Sequence, residues 1–507
     1  MVILSYALHA ICIYFYPSSI LFNVIIPIIT LLQKSNMSLV FYDTETTGTD
    51  TAFSQILQFG AIRTDVDLNI TDRFEIRCRL LPHIVPSPGA MAVTGVTIKQ
   101  LIDVGLPTHY EMIKAIHEKL RSWSPAIFLG YNSLNFDEHL LRQAFYQTLH
   151  PLYLTNTDGN SRIDILRLLH ATHLYAPGAI AIPVKENGNP IFKLDQVAPH
   201  NGFAHENAHD AMADVEATIH MCRLIRERAP HLWESFNRFS KKKAVTDYAF
   251  NELIFSLSEF NYGRPYSSLV TTIGIHPKRN TDIFVFDLAI DPSSLAAMPV
   301  ERHASQLKKT PKPIRILKSN ACPTMRPVAE APAIAEAMAL GMEELLRRAN
   351  VLKSDSVLRS ALIEAYLSIG DEVEEPSLHI ENQIYDGFYT TSDQEKLDAF
   401  HRAEWADRAL LSSQMEDKRA RQISSRLIYF ERPHLLDDVS RIDYDIAIAK
   451  RLLADEKTVP WLTLPKAIAE IDHLLETAEE SKQGLLNEHR EYLLDRLEIA
   501  ARILNTI

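Results

Sequence analysis

The spacing of apolar and polar positions changes character three times along the chain. Residues 2–32 are mostly apolar, free of Asp, Glu, Lys and Arg, and broken by Pro17-Ser18-Ser19 and Pro27. The prolines cut this stretch into runs shorter than the roughly 20 residues that a spanning helix needs, and it has neither a basic start nor a small-residue cleavage site. Met37 stands directly before the first strand-like run. Residues 1–36 are therefore read as a non-native extension ahead of a start at Met37, with a membrane anchor as the competing reading.

From 37 to 230 the pattern predicts an α/β domain. Leu39 to Tyr42, Ile56 to Arg63 and Phe74 to Cys78 read as strands, the last two separated by the turn-like Asp67-Leu68-Asn69. Three strands in such quick succession predict antiparallel neighbours. Met112, Ile113, Ile116 and Leu120 recur at helical spacing, and the short apolar run 126–129 then returns the chain to the sheet. Between 231 and 376 the basic junction Lys241-Lys242-Lys243 leads into β-like runs at 269–275, 283–288 and 314–317, with helical patches after Leu295 and Ala331. A linker is expected at Glu374-Glu375-Pro376-Ser377. Residues 379–507 read as almost pure helix, over 394–411, 422–428, 442–453, 465–475 and 482–504.

Composition agrees with three domains. At 507 residues the chain is too long for one core, and its 46% apolar and 23% charged residues are ordinary for a soluble globular protein. A net charge of −12 excludes broad, non-specific attraction to nucleic acid, so any such binding needs a local basic groove. Residues 308–315, with Lys308, Lys309, Lys312 and Arg315 and no acid, are the candidate for it. The four cysteines, Cys12, Cys78, Cys222 and Cys322, show no paired spacing, as expected in a reducing cytoplasm.

Chemistry enters at three places. Asp43 and Glu45 lie one residue apart at the end of a strand, so they share a face, and two carboxylates that close repel unless protons or cations lie between them. Asn135 is a plausible helix cap with Glu138 three residues on, which puts Asp137 in a first helical turn beside another strand end. Asp210 can cap a helix with the apolar stripe Ala211, Val215, Ile219 and Cys222. His209 and Asp214 are five residues apart, about 140° round a helix, so they converge only if His209 lies in the preceding loop. Four acids and a histidine suit phosphodiester hydrolysis by two Mg²⁺ ions roughly 3.5–4 Å apart, with Asp43, Glu45 and Asp214 as ligands and Asp137 completing the shell directly or through water. His209 would accept the proton of the attacking water, and activity is expected to rise with pH above neutrality.

This set resembles the DEDD family of 3′–5′ exonucleases in its histidine-bearing branch. The match rests on Phe-Tyr-Asp-Thr-Glu-Thr-Thr-Gly at 41–48, Tyr-Asn-x-x-x-Phe-Asp at 131–137 and Ala-His-Asp-Ala-x-Ala-Asp at 208–214. The resemblance narrows to the bacterial exonuclease I enzymes through Gly-Ala-Met-Ala-Val-Thr-Gly-Val-Thr at 89–97, Asn-Ser-Arg-Ile-Asp at 160–164, Phe-Lys-Leu at 192–194, Ile-His-Pro at 275–277 and Ile-Tyr-Asp-Gly-Phe at 384–388. It implies a ribonuclease H-like exonuclease domain with a mixed sheet, a Src-homology-3-like middle domain, and an all-α domain that closes over a single strand. It also implies processive degradation of single-stranded DNA to 5′-mononucleotides in DNA repair and recombination, with Mn²⁺ able to replace Mg²⁺. The implied protein is a cytoplasmic monomer, bound by the acidic C-terminal tail of the single-stranded-DNA-binding protein and by no membrane. Glu45 and the Thr94-Gly95 turn would touch the substrate, and Lys193 stands where these enzymes carry a substrate-contacting arginine, keeping the charge without the bidentate grip. A relative acting on RNA or small oligonucleotides would share the acids but is typically the nuclease domain alone. A strand-binding protein without catalysis would be expected to lack one of them.

Overall fold

The computed structural model describes residues 37–204, 209–261, 264–331, 339–370 and 377–506. The extension 1–36 and the linker positions 374–376 lie outside the described residues. Among those described, no helix is long and apolar enough to cross a membrane.

The first domain is built on a five-stranded mixed sheet of order β3-β2-β1-β4-β5, comprising β1 (Ser38–Thr46), β2 (Ile56–Thr64), β3 (Ile70–Arg77), β4 (Ala126–Gly130) and β5 (Ser161–Asp164). The first three strands pair antiparallel, as the short connections require, whereas β4 and β5 run parallel to β1 after helical crossovers. Central β1 is covered on both faces, so its sequence is a continuous apolar run up to the acids. Alternation sends Leu39 and Phe41 into one core with α4 (Ile165–Tyr175) and α6 (Ala211–Arg228). Val40 and Tyr42 enter the opposite core with α2 (His109–Trp123) and α3 (Asp137–Gln147). Helix α2 starts in a capping box between Thr108 and Glu111. The first core does not stop at 230, because Leu232, Trp233 and Phe236 of α7 (Pro230–Phe239) pack into it.

The middle domain carries an all-antiparallel sheet, β10-β6-β7-β8-β9, from β6 (Phe255–Asn261), β7 (Arg264–Ile275), β8 (Asp282–Asp287), β9 (Ile314–Lys318) and β10 (Thr324–Pro327). Helices α8 (Gly341–Ser354) and α9 (Ser356–Ile369) close its second core through Leu345, Leu352 and Leu362.

The last domain is helical, with α10 (Thr391–Arg402), α11 (Trp405–Gln414), α12 (Lys418–Glu431), α13 (Asp438–Leu452), α14 (Leu464–Thr477) and α15 (Glu480–Asn505). The single helix expected over 394–411 is two helices. Ala403 and Glu404 are extended, and the break lets Trp405 pack on Tyr110 of the nuclease domain at 5.2 Å, with the Arg408 guanidinium 3.9 Å above the Trp405 ring. Among the described residues this domain shares two hydrophobic clusters with the first. Phe400 and Ile423 share a core with Tyr110 and Tyr146, while α14 and α15 pack on Val85 and on Ala92 of α1 (Pro88–Thr94).

Candidate active site

Pairing between β1 and β4 ends at Phe41 opposite Leu129, so Asp43 and Glu45 project past the edge of the parallel part of the sheet. Their antiparallel partners on β2 are Gly60 and Gln58. The expected common face holds: one carboxylate oxygen each of Asp43, Glu45 and Asp214 lie within 4.8 Å of one another.

Asp214 reaches this point because the N-terminal turn of α6 lies on β2. A Cβ at residue 60 would stand 2.9 Å from the Ala211 carbonyl carbon and the Met212 nitrogen, so only glycine allows the helix backbone this close. Asp210 is the N-cap, its Oδ1 accepting from the Met212 and Ala213 amides at 3.2 Å. His209 sits in the turn ahead of the cap, as its spacing from Asp214 demands, in a left-handed conformation with φ +68°.

Asp137 approaches from the other core. The expected Asn135 cap is not formed. The N-cap position falls on Phe136, which offers no side-chain oxygen, and Glu138 does not reach back to the backbone. Glu138 is instead buried in a polar cluster: its carboxylate accepts from Arg162 at 2.7 Å, Thr155 at 2.6 Å, Arg142 at 2.9 Å and the Tyr42 hydroxyl at 3.1 Å. Two guanidinium groups outweigh the backbone as partners for a buried charge. Asp137 does lie in the first turn, 3% exposed, and its Oδ1 accepts from Thr44 Oγ1 at 2.6 Å. It stands outside the 4.8 Å group.

Burial and mutual repulsion dominate the electrostatics. Burial holds the Asp43 carboxyl well above its ordinary range, with Asp137, Asp214 and Glu45 pushing it further. Burial likewise raises Glu45 to about 8, reinforced by Asp214 and Asp137 and opposed by Arg77. Asp137 is pushed up to about 7 by burial, against the lowering effect of its bond from Thr44. Carboxylates in this state either hold protons or share a cation, and a close set of hard oxygen donors fits a divalent ion.

Of the predicted substrate residues Glu45 belongs to this cluster, and the others are carried by separate elements. Thr94 ends α1, and Gly95 closes it in the left-handed region at φ +69° with its amide on the Met91 carbonyl at 2.9 Å. Lys193 is the exposed N-cap of the short helix α5 (Leu194–His200). Lys308, Lys309 and Lys312 are exposed on the loop between the short helix His303–Leu307 and β9. A groove of about 410 Å³, with Asn135 in its lining, lies between the first two domains. Its walls include Arg167, Lys318 and a His170–Phe260 stack with ring centres 4.3 Å apart. Sequence reasoning missed Thr44, Gln58, Gly60 and Arg77. For Gln58, Gly60 and Arg77 the sequence carries no local signal, because their place beside the acids arises only when β1, β2 and β3 pair.

Three family models match the chain in succession: the exonuclease family over residues 40–222, the exonuclease I SH3-like domain over 240–368 and the exonuclease I C-terminal domain over 378–496. The chain is 29% identical over 376 residues to exodeoxyribonuclease I of Escherichia coli strain K12, covering 71% of this chain and 78% of that protein. Its fold is that of E. coli exonuclease I in complex with a dA16 oligonucleotide, with a TM-score of 0.78 and 24% identity over 91% of this chain and all of that one. The zinc-bound E. coli complex with single-stranded DNA aligns with a TM-score of 0.75 and 25% identity, covering 91% of this chain and 99% of that one.

Proposed function

The chain belongs to the bacterial exonuclease I family, and we propose that its Asp43, Glu45 and Asp214 hold the metal with which it removes nucleotides from the 3′ end of single-stranded DNA. It is an exonuclease, and the observation that carries the site assignment is the group of three carboxylates within 4.8 Å at the end of β1. A divalent metal suits these donors. Two Mg²⁺ ions, or Mn²⁺ in their place, would supply neutralisation of charge on the attacking and leaving oxygens.

Each residue then has a part. Asp137, oriented by Thr44, completes the ligand set from the opposite core, directly or through water. His209, in the turn ahead of α6, accepts the proton of the attacking water. Glu45 and the Thr94-Gly95 turn meet the terminal nucleotide, and Lys193 meets a phosphate. The groove between the first two domains supports a path for the strand, because Arg167 and Lys318 offer charge and Phe260 a stacking face. Lys308, Lys309 and Lys312 extend that positive track, and the helical domain encloses the strand and makes degradation processive. By family resemblance the protein acts as a monomer and takes the acidic tail of the single-stranded-DNA-binding protein.

Gel analysis of 5′-labelled single-stranded DNA tests the reading. A ladder shortening from the 3′ end with Mg²⁺, absent with chelator and absent on duplex, is expected. Cleavage without metal, or products that begin inside the strand, would overturn it.

A further inference from the structure

Glu45, Gln58 and Arg77 form one row across three strands: Glu45 lies opposite Gln58 in the β1–β2 register, and Gln58 lies opposite Arg77 in the β2–β3 register. Directly opposed residues share a face. The two that follow Glu45 in this row turn to the N-terminus of α6. Asp210 needs only one carboxylate oxygen to cap the helix, and uses Oδ1 for it. Its Oδ2 accepts from Gln58 Nε2 at 2.9 Å and from Arg77 Nη2 at 2.7 Å. The Gln58 side chain also reaches the helix backbone, its Oε1 accepting from the Ala211 amide at 3.4 Å, and it is 1% exposed.

Helix caps do not require two further donors from two strands. We propose that Gln58 and Arg77 are positioning residues, which lock the first turn of α6 to the strand opposite Asp43 and Glu45 and so set where Asp214 stands relative to those two acids. The lock works by geometry. Gly60, opposite Asp43, lets the helix approach but does not fix its slide along the sheet, whereas Gln58 and Arg77 grip the cap laterally from two strands. Outer partners of metal ligands typically alter metal affinity or activity by 10–100-fold, and the same size is expected here.

This inference rests on the reading of Asp43, Glu45 and Asp214 as metal ligands, so the test measures metal binding apart from cleavage. Mn²⁺ binding to the full chain is followed by electron paramagnetic resonance for wild type, Gln58→Met, Arg77→Met and Arg77→Lys, beside kcat and KM on single-stranded DNA and the thermal midpoint. Both Met variants should need about 10–100-fold more Mn²⁺ for half-saturation, with a matching fall in kcat at limiting metal. KM and thermal midpoint should stay near wild type, and Arg77→Lys should recover most of the affinity. If Gln58→Met does not fold, the partly exposed Arg77→Met decides. A wild type that binds no Mn²⁺ overturns the ligand reading itself. Folded Met variants with Mn²⁺ affinity and kcat within twofold of a metal-binding wild type overturn the positioning role alone.

Discussion

Replacing Glu45 by Gln should stabilise the metal-free protein, and stabilise it more at pH 8 than at pH 6. Glu45 is 8% exposed and titrates near 8 in the fold against an ordinary 4.5, because burial and the charges of Asp214 and Asp137 disfavour its ionised form. Between those two values the folded chain keeps a proton that the unfolded chain has released, so folding loses free energy as pH rises through the window. The loss begins near 4.5 and is complete above 8. Linkage gives a penalty of about 2 kcal/mol at pH 6 and about 4 kcal/mol at pH 8, upper values because the neighbouring acids share the proton. Glutamine carries no such penalty. The gain of the variant over wild type should therefore grow by roughly 2 kcal/mol across this range, or about 4–8 °C in the midpoint of a domain of this size. Calorimetry of both proteins in chelator at pH 6 and pH 8 measures it, and Mg²⁺ should erase the difference by stabilising wild type alone. A gain equal at the two pH values, or a variant less stable at pH 8, would refute the electrostatic account.

Asp43→Asn or Asp214→Asn should abolish hydrolysis while Ca²⁺-supported strand binding stays within about tenfold of wild type, since these groups hold metal rather than polynucleotide; residual cleavage above a few percent would exclude them as ligands. His209→Ala should slow cleavage by roughly 10²–10⁴ and flatten the pH–rate profile near neutrality, with Mn²⁺ binding little changed. Glu138→Ala leaves Arg162 and Arg142 facing a buried void, and should cost about 3–5 kcal/mol in chemical denaturation. Reversing the charge at Lys308, Lys309 and Lys312 should shorten the run length under a competitor trap and lower the salt slope of binding by roughly 0.7 for each lost phosphate contact.

Much of the fold was legible because its signals are local. The apolar run of β1, the helical spacing of Met112, Ile113, Ile116 and Leu120 in α2 and the three- and four-residue steps of α13 to α15 are each decided by neighbours in sequence. β5, β6 and β10 were missed for the opposite reason. Ser161–Asp164 and Thr324–Pro327 are four residues long, and the apolar–serine alternation of Phe255–Asn261 lasts only four residues before Glu259 breaks it. Such runs become strands through partners supplied by the rest of the sheet.

The site divides along the same line. Asp43 and Glu45 share a face by the two-residue period alone, and the five-residue step from His209 to Asp214 forces a loop before a helix; both are statements about one segment. Asn135 and Glu138 had the spacing of a capping box, but spacing could not reveal that Arg162 and Arg142 compete for Glu138. A cap relieves one amide at a helix end that water can also serve. A buried carboxylate beside two guanidinium groups has no such substitute, so the tertiary partners win. The same reasoning explains why Gln58 and Gly60 carried no warning in the sequence. Each looks like an ordinary strand residue until α6 is laid across them, and their importance comes from standing opposite Glu45 and Asp43 in register, a relation that exists only once two strands have paired.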